Sequence, residues 1–343
     1  MEKILLIAHT QADGKLPKIV LETLNAAIDL TGKLGGAPLT VGLIGENVKE
    51  AADSISTCGA ASFLAVEGAD FSVSRYSSDA AAIEALVRKS EASIVLAPTT
   101  SRFSRAIPGA VFRLKGRVET HVSGIDVENG QLTIQRWYYR QRMVARLTRE
   151  QRPWFLVVDS GILPGWQGAA ASAAIEHVTV AATDFSRTQV LGIQAAAGGG
   201  SQTVRPEAEV LFVAGAGWTK KQSDGQIHGK EAESTILGFL ENCNASLGSS
   251  KSLVDQSHEG EAVLPFMSHL NQVGQTGSTP RHPKGLSTCC HGEEPHAVGW
   301  RFINERRAIN LDPNCGWAQG KADVLYVADA FQVMAKVNEM LKK

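Results

Sequence analysis

The 343-residue sequence is poor in cysteine, contains no long apolar run and carries almost no net charge. Its five cysteines are odd in number and mostly isolated, which argues against a disulfide framework and favours a reducing compartment. No apolar run approaches the roughly 20 residues that cross a bilayer. The N-terminal stretch up to Ala8 is too short and too soon polar for a signal peptide. We therefore expect a cytoplasmic protein that is not inserted in a membrane.

The balance of charge and the missing motifs argue against several classes of function. With 34 basic and 35 acidic residues, the net charge of −1 gives no support to a nucleic-acid binder or a membrane-surface protein. The sequence contains no Gly-x-Ser-x-Gly elbow and no full Walker motif, so these two hydrolase signatures are missing. The length and the 43% hydrophobic content suit two domains with real cores.

The N-terminal half alternates short β-branched runs with amphipathic helical patterns. Strands are predicted over 4–8, 39–44, 63–66 and 93–97, and helices over 18–34, 47–58 (closed by Gly59) and 78–90. This rhythm predicts a parallel sheet with helices on both faces.

From Val118 the spacing changes to that of hairpins. The segments concerned are 124–127, 131–137, 143–147 and 154–159. The turn Glu128-Asn129-Gly130 joins two of them, so the sheet is expected to gain an antiparallel portion. Arginines and aromatics are interleaved over 136–149, which favours a half-exposed hairpin or a subunit interface over a nucleic-acid patch.

A composition break follows at Ala195–Gly200, where three alanines and three glycines indicate a linker or an exposed loop. The α/β rhythm then restarts, with strands predicted over 209–214, 307–310 and 324–327 and helices over 230–242 and 330–341. We therefore expect an α/β protein with an N-terminal domain over 1–194, a linker over 195–207 and a doubly wound C-terminal domain over 208–343.

Two glycine-containing segments are candidates for contact with a nucleotide. Gly215 and Gly217 directly follow the predicted strand that ends at Ala214, where glycines let a phosphate approach backbone amides. The third glycine of a dinucleotide fingerprint is missing, so a plain tight turn is the alternative. The segment 272–277 places Thr276 among glycines and amides, which suits hydrogen bonding to a flat heteroaromatic ring or a phosphate; a polar loop is the alternative.

The segment 289–296 is the richest in reactive side chains and reads Cys-Cys-His-Gly-Glu-Glu-Pro-His. Adjacent cysteines rarely chelate one tetrahedral ion, and no second Cys-x-x-Cys or histidine pair follows, so the spacing argues against zinc. Iron held by Cys289, Cys290 and Cys315 is a further alternative. We favour a histidine beside a cofactor ring, because an imidazolium there stabilises negative charge on the ring.

Polar residues also follow the last two predicted strands. Asn310 ends one of them and Asp312 follows it, while Asp329 follows the other, at the strand ends where ligands bind in open α/β sheets. Asn310 and Asp329 suit hydrogen bonding to adenine and ribose groups. Because Asp329 directly precedes a predicted helix, capping of that helix is its alternative role.

The order of these C-terminal motifs resembles that of the alpha subunits of electron transfer flavoproteins. That family has a glycine-rich turn, a Ser-Arg segment, a Val-Gly-Gln-Thr-Gly loop, a Gly-Ala-Ile-Gln-His segment and an Ala-Ile-Asn-Lys-Asp strand. This chain presents, in the same order, the segments 215–217, 250–251, 273–277, 292–296 and 308–312, followed by 327–329. The N-terminal half is also similar, in 95–100 and in Arg136 ahead of Tyr139, so the resemblance covers essentially the whole chain.

The resemblance implies a heterodimer in which the N-terminal domain contacts a beta-like subunit that usually holds AMP, or another second nucleotide. The C-terminal domain, of the flavin-binding type, would hold most of an FAD. The chain would accept electrons from a flavoprotein dehydrogenase and pass them to a quinone-reducing acceptor. It would thus be an electron carrier rather than an enzyme with its own substrate.

The resemblance also implies roles for single residues. Thr276 would hydrogen-bond the flavin ring near its reactive nitrogen, and Lys251 would replace the arginine that lies over the ring. His296 would lie beside the pyrimidine end and stabilise the reduced anion, while Asn310 and Asp329 would serve the adenosine half. The full set of expected FAD-binding residues is Gly215, Gly217, Ser250, Lys251, Gln275, Thr276, Gly277, His291, Gly292, His296, Asn310, Asp312 and Asp329.

Several positions depart from the family pattern. Ala216 stands where the family has arginine, which removes a possible phosphate partner, and Lys251 keeps the charge of an arginine but loses its planar group. His291 replaces a small serine, and Glu294-Pro295 replaces Ile-Gln, which adds bulk and acid beside the ring. The alternative function is therefore a flavin-free scaffolding subunit of a larger oxidoreductase complex.

Overall fold

The computed structural model describes residues 2–138, 143–180, 185, 187–192, 204–205, 208–255, 264–273, 281–288, 303–313 and 322–342. The chain divides into two compact units, Met1–Ile193 and Gln194–Lys343. Most of the linker predicted over 195–207 lies outside the described residues.

The N-terminal unit is built on a sheet that has nine strands among the described residues, in the order β7-β6-β5-β8-β4-β1-β2-β3-β9. The strands are β1 (Ile4–His9), β2 (Leu39–Gly45), β3 (Ser62–Glu67), β4 (Ile94–Pro98), β5 (Arg117–Glu128), β6 (Gln131–Tyr138), β7 (Met143–Leu147), β8 (Trp154–Val158) and β9 (Ile175–His177). The helices are α1 (Lys18–Lys33), α2 (Lys49–Ser54), α3 (Tyr76–Ser90) and α4 (Ser101–Arg113).

The central strand β1 is buried on both sides because helices cover both faces of the sheet. Leu6 and Ala8 pack in one apolar cluster with Leu24 of α1. Leu5 and Ile7 point to the opposite face and pack in a second cluster with side chains of α3 and α4. A strand covered on both faces reads as a continuous apolar run. The parallel sheet with helices on both faces, expected from the sequence, is confirmed.

The antiparallel portion is also confirmed and consists of β5, β6 and β7. Asn129 and Gly130 both have positive φ, 51° and 77°, which is the conformation of a two-residue hairpin turn. Arg136 of β6 and Arg149 both bind the buried carboxylate of Glu119, at 2.6 and 2.9 Å. These two arginines are thus engaged within the unit, and the subunit-interface interpretation of the hairpin stays a prediction.

The expected hairpin pairing of the segment 154–159 is wrong. The strand β8 lies between β4 and β5 and pairs parallel with both. All five of its residues are buried. Such two-sided burial is typical of a parallel strand inside a sheet, and the sequence spacing alone did not reveal it.

The helices also differ in part from the sequence-based expectations. Helix α2 ends at Ser54 instead of position 58, because the hydroxyls of Ser54 and Ser56 donate to the carbonyls of Ala51 and Asp53, at 2.7 and 3.1 Å. Gly59 therefore does not cap this helix. Helix α4 was not predicted at all; Pro108 and several arginines interrupt its apolar pattern.

The C-terminal unit has a parallel sheet with the strand order β11-β10-β12-β13-β14 among the described residues. The strands are β10 (Val210–Ala214), β11 (Ser246–Ser249), β12 (His282–Thr288), β13 (Ile303–Asn310) and β14 (Val324–Val327). The helices are α5 (Gly229–Cys243), α6 (Lys251–Asp255) and α7 (Ala330–Leu341).

This second sheet is also covered on both faces. Phe212 packs with Phe239 of α5 and Met334 of α7 on one face, and Val213 packs with Val273 on the other. The α/β fold with a parallel sheet expected for the C-terminal domain is confirmed, and the described helices α5, α6 and α7 pack on one of its faces. The strands β11 and β12 were missed from sequence because serine, glycine and proline dilute their apolar pattern.

Candidate functional site

The carboxyl ends of the five C-terminal strands meet along one edge of their sheet, which we call the carboxyl edge. The registers align Ala214 with Ser249 and Thr288, and Asn310 with Val327. Ligands of open α/β sheets bind outside the carboxyl ends of the strands. The carboxyl edge is therefore the candidate site, and it includes the described residues that the sequence singled out in this unit.

The glycine turn that follows β10 is anchored to the neighbouring strand. The Gly215 amide donates to the Thr288 carbonyl at 2.8 Å. A short 3-10 turn over Ala216–Thr219 follows, in which the Ala216 side chain is fully buried and Gly217 is partly exposed. The Gln222 side-chain amide donates to the Gly217 carbonyl at 3.1 Å. The turn is therefore firmly held, and the only side chain between its two glycines points inward.

Ser250 and Lys251 lie at the end of β11, next to the glycine turn. The Ser250 amide donates to the Ala214 carbonyl at 2.8 Å, and its hydroxyl accepts from the Leu253 amide at 3.2 Å. The exposed Lys251 ammonium lies 3.5 Å from the Asp255 carboxylate, one turn further along α6. The edge thus carries one exposed cation at a position where the sequence predicts contact with a flavin ring.

The chain returns to the edge at Val273. Ser249 forms an isolated parallel bridge with Gln272, and the Val273 amide donates to the Ser249 carbonyl at 3.0 Å. The Val273 side chain fills the space where a Cβ on Gly248 would stand, so this close approach requires glycine. The predicted loop residues Gln275, Thr276 and Gly277 come next in the chain and lie outside the described residues.

Two buried polar atoms of the edge have no hydrogen-bond partner in the described structure. They are the Ser249 hydroxyl, in a residue with no exposed surface, and the side-chain nitrogen of Asn310, a residue that is 7% exposed. An unsatisfied buried polar group costs folding free energy and calls for an explanation such as a missing ligand. These residues therefore suit a cofactor that brings hydrogen-bonding groups to the edge.

The two acidic residues predicted for the adenosine half occupy different environments. Asp329 caps α7, because its carboxylate accepts from the Phe331 amide at 2.9 Å and from the Gln332 side chain at 3.4 Å. Asp312 is exposed beyond the end of β13. Capping is thus observed for Asp329, and the contact of both residues with adenosine stays a prediction.

The remaining residues that the sequence predicts to bind the cofactor fall in segments beyond the described ranges. His291, Gly292 and His296 lie outside the described residues, together with Glu294, Pro295 and the three cysteines proposed for iron. Within the described ranges, no group of three or more His, Cys, Asp or Glu side chains is placed to hold a metal ion.

Sequence reasoning missed three residues that shape this edge: Ser249, Thr288 and Trp218. Trp218 and Thr288 have no exposed surface, and the Trp218 indole nitrogen donates to the Thr288 hydroxyl at 2.8 Å. The available signal was the alternation of strands and helices, which requires a strand between α5 and β13 even where apolar residues are few.

The carboxyl ends of the parallel strands in the N-terminal sheet form a second edge. Between the parallel strands β1 and β4 the chain connections diverge, because β1 is followed by β2 on one side and β4 by β5 on the other. The His9 Nε2 atom lies 3.1 Å from the Thr100 hydroxyl, and the ring meets Phe103 edge-on at 5.0 Å. Burial, with a smaller effect of the Arg102 charge, lowers the pKa of His9 to about 4. The ring is therefore neutral at neutral pH and serves as a packed polar group.

A cleft of about 570 Å³ opens at the ends of β1 and β2. Its charged lining consists of Asp13, Glu46, Glu50, Asp53 and Lys49, and Lys49 is paired with Asp53. This excess of carboxylates does not suit a phosphate, so the cleft does not compete with the C-terminal edge as a nucleotide site.

None of the helices in the described ranges combines the length and apolar character that a bilayer crossing requires.

Comparison with known proteins agrees with this geometry. The electron transfer flavoprotein subunit alpha of Clostridium acetobutylicum is 26% identical over 341 residues, which cover 96% of this chain and 92% of the relative. The protein of the same name from Thermoanaerobacterium thermosaccharolyticum is 25% identical over 342 residues, covering 97% and 96%. Residues 4–183, more than half of the chain, match the electron transfer flavoprotein domain. The chain therefore belongs to the electron transfer flavoprotein family, on the side of its alpha subunits.

Proposed function

We propose that this chain carries electrons on an FAD held at the carboxyl edge of its C-terminal sheet. When bound, FAD supplies a ring system that accepts and releases electrons. The observation that carries the proposal is the pair of buried, unsatisfied polar atoms, the Ser249 hydroxyl and the Asn310 side-chain nitrogen.

The positions of the two strands that carry these atoms favour a dinucleotide. Ser249 ends β11 and Asn310 ends β13, and the two strands are three positions apart in the sheet. Neighbouring strands are about 4.8 Å apart, so a ligand that serves both residues extends over about 14 Å. An extended molecule with a ring system at each end suits this span, and such dinucleotides bind across the strand ends of open sheets.

The other described residues of the edge fit the same cofactor. The Gly215 amide is bonded to Thr288, but the backbone of the partly exposed Gly217 suits the approach of a phosphate. The exposed ammonium of Lys251 offers a positive charge at the end of β11. Cations near a flavin ring favour negative charge on it. The roles of Thr276 at the ring and His296 beside it belong to the proposal as well and rest on the motif match alone.

The proposal includes a heterodimer with a beta-like subunit that holds AMP or another second nucleotide. The donor would be a flavoprotein dehydrogenase and the acceptor a quinone-reducing protein. Both relatives are named as alpha subunits of electron transfer flavoproteins, which supports the pairing and the carrier role. A cytoplasmic location is part of the proposal and rests on the cysteine usage.

A flavin-free scaffolding subunit is the second candidate, and two observations favour it. The Ala216 side chain is buried inside its turn, where it has no polar group to offer a phosphate. Lys251 already has a carboxylate partner in Asp255. A chain that had lost its cofactor would tolerate both changes, provided that its fold still served a partner.

The test is co-expression of the full chain with its beta-like partner, followed by visible spectroscopy before and after acid release of the cofactor. Flavin near one per chain, identified as FAD after release, supports the carrier. A folded heterodimer without flavin refutes it and supports the scaffold.

A matched pair of variants then locates the site. Lys251→Gln should weaken FAD binding by about two- to fivefold, the loss expected for one charge interaction near the surface. Lys336→Gln is the control, because Lys336 is also exposed and ion-paired on a helix, 2.6 Å from Glu339. Equal affinities of the two variants would place the cofactor away from Lys251.

A further inference from the structure

Trp218 is the feature of the C-terminal unit that neither the motif match nor the proposed function uses. It lies in the short turn after β10, yet it is among the largest side chains of the protein with no exposed surface. Most turn residues lie at the protein surface, so a fully buried tryptophan here indicates that the turn is packed into its surroundings.

The indole nitrogen is tied to the last residue of β12. It donates to the Thr288 hydroxyl at 2.8 Å, and this hydroxyl in turn donates to the Val213 carbonyl at 3.3 Å. The Thr288 carbonyl accepts from the Gly215 amide at 2.8 Å. The end of β12 is thus joined to the end of β10 through both the side chain and the backbone of one residue.

The indole ring also reaches α7. The Trp218 and Phe331 rings are 4.5 Å apart between centroids and tilted by 54°. The Phe331 amide in turn donates to the Asp329 carboxylate at 2.9 Å. The tryptophan ring therefore packs against the first turn of α7, next to Asp329, which is expected to contact adenosine.

Trp218 is thereby linked to three places in the chain that adjoin residues predicted to bind FAD. Its own turn contains Gly215 and Gly217, Thr288 directly precedes the segment that contains His296, and Phe331 follows Asp329. A buried indole with a directional hydrogen bond has one orientation, so it fixes these three backbone ends relative to one another.

We infer that Trp218 is a positioning residue of the FAD site and acts through its hydrogen bond to Thr288. The inference rests on the proposed function. It predicts that breaking this single hydrogen bond, from either side, weakens FAD binding while the fold persists.

The experiment compares four variants in the complex of the full chain with its beta-like partner. Trp218→Phe removes the donor alone, whereas Thr288→Val removes the acceptor together with the bond to the Val213 carbonyl, and Thr288→Ser keeps the hydroxyl. Trp154→Phe is the control, because Trp154 is equally buried in β8 of the other unit and its indole nitrogen has no partner in the described structure. The readouts are the Kd for FAD added to the flavin-stripped complex and the visible circular dichroism of bound FAD.

We expect the Kd to rise by up to about tenfold in Trp218→Phe and in Thr288→Val, because the positioning that the hydrogen bond gives the site is worth no more than the bond itself, about 0.5–1.5 kcal/mol. The circular dichroism of bound FAD should change in the same two variants. Thr288→Ser should recover most of the affinity, and Trp154→Phe should stay close to wild type. If Trp218→Phe fails to fold, the difference in Kd for FAD between Thr288→Val and Thr288→Ser still tests the role of the hydrogen bond.

Two results overturn the inference. If Thr288→Val binds FAD as tightly as Thr288→Ser does, the hydrogen bond does not position the site, and the proposed function stands unaffected. If the folded wild-type complex binds no FAD at all, the proposed function fails, and the inference fails with it.

Discussion

The unsatisfied amide of Asn310 predicts a variant that gains stability while it loses its cofactor. Asn310 is 7% exposed, and its side-chain nitrogen is buried without a partner in the described structure. Its backbone carbonyl accepts from the Ala328 amide at 3.1 Å, a bond that a substitution preserves. Replacing Asn310 by leucine, which is larger but branches at the same carbon, removes a buried side-chain nitrogen that has no hydrogen-bond partner in the described structure.

The magnitude follows from the cost of burying an unsatisfied group. That cost is about 1–3 kcal/mol, so Asn310→Leu should stabilise the flavin-free protein by a comparable amount. For a unit of this size, each kcal/mol raises the Tm by about 2–4 °C. The same change should weaken FAD binding about tenfold or more, because the cofactor loses its hydrogen bond to the amide.

Asn271 supplies the matched control. It is 4% exposed, its side-chain oxygen accepts from the Ser268 amide at 3.0 Å, and its nitrogen donates to the Leu247 carbonyl at 3.4 Å. Asn271→Leu breaks both bonds and should destabilise the protein by about 1–3 kcal/mol. Thermal unfolding of the flavin-stripped complex, with and without added FAD, measures both effects.

Two outcomes would refute the reasoning. If Asn310→Leu destabilises the flavin-free complex as much as Asn271→Leu does, the Asn310 amide is satisfied in solution. If Asn310→Leu gains stability and binds FAD with unchanged affinity, the amide is unsatisfied for a reason unrelated to this cofactor.

Three further predictions concern stability and the support of the edge. The pKa of His9 is lowered to about 4, so below pH 6.5 the unfolded chain binds more protons than the folded chain does. The free energy of unfolding, measured with urea, should therefore fall by about 3 kcal/mol between pH 6.5 and pH 4. His9→Gln should abolish this fall. Arg102→Met leaves the buried carboxylate of Asp79 without the ion pair it makes at 2.6 Å and should cost about 3–5 kcal/mol in urea unfolding, largely restored by adding Asp79→Leu. Gly248→Ala forces Val273 to move and should weaken FAD binding in equilibrium titration; an unchanged Kd would contradict the role of this contact.

The sequence predicted the fold class because hydrophobic periodicity is a local property. Continuous apolar runs such as 4–8 and amphipathic segments such as 18–34 determine which faces are buried, whichever neighbours they meet. The predicted pairing of β8 was wrong because strand pairing, unlike periodicity, depends on distant parts of the chain. Its apolar residues suit a hairpin or a parallel strand equally well, and only its position between β4 and β5 decides.

The candidate site shows the same division. The sequence by itself determined the glycine turn and Asn310, because each lies at the end of a strand that the local pattern predicts. Lys251 was found through the family resemblance, since the strand before it was not predicted. Only the tertiary structure revealed that the Ser249 hydroxyl and the Asn310 side-chain nitrogen are buried without partners among the described residues, and that Trp218 binds Thr288, 70 positions further along the chain. Burial and hydrogen bonding depend on residues that are distant in sequence, so no local pattern contains them.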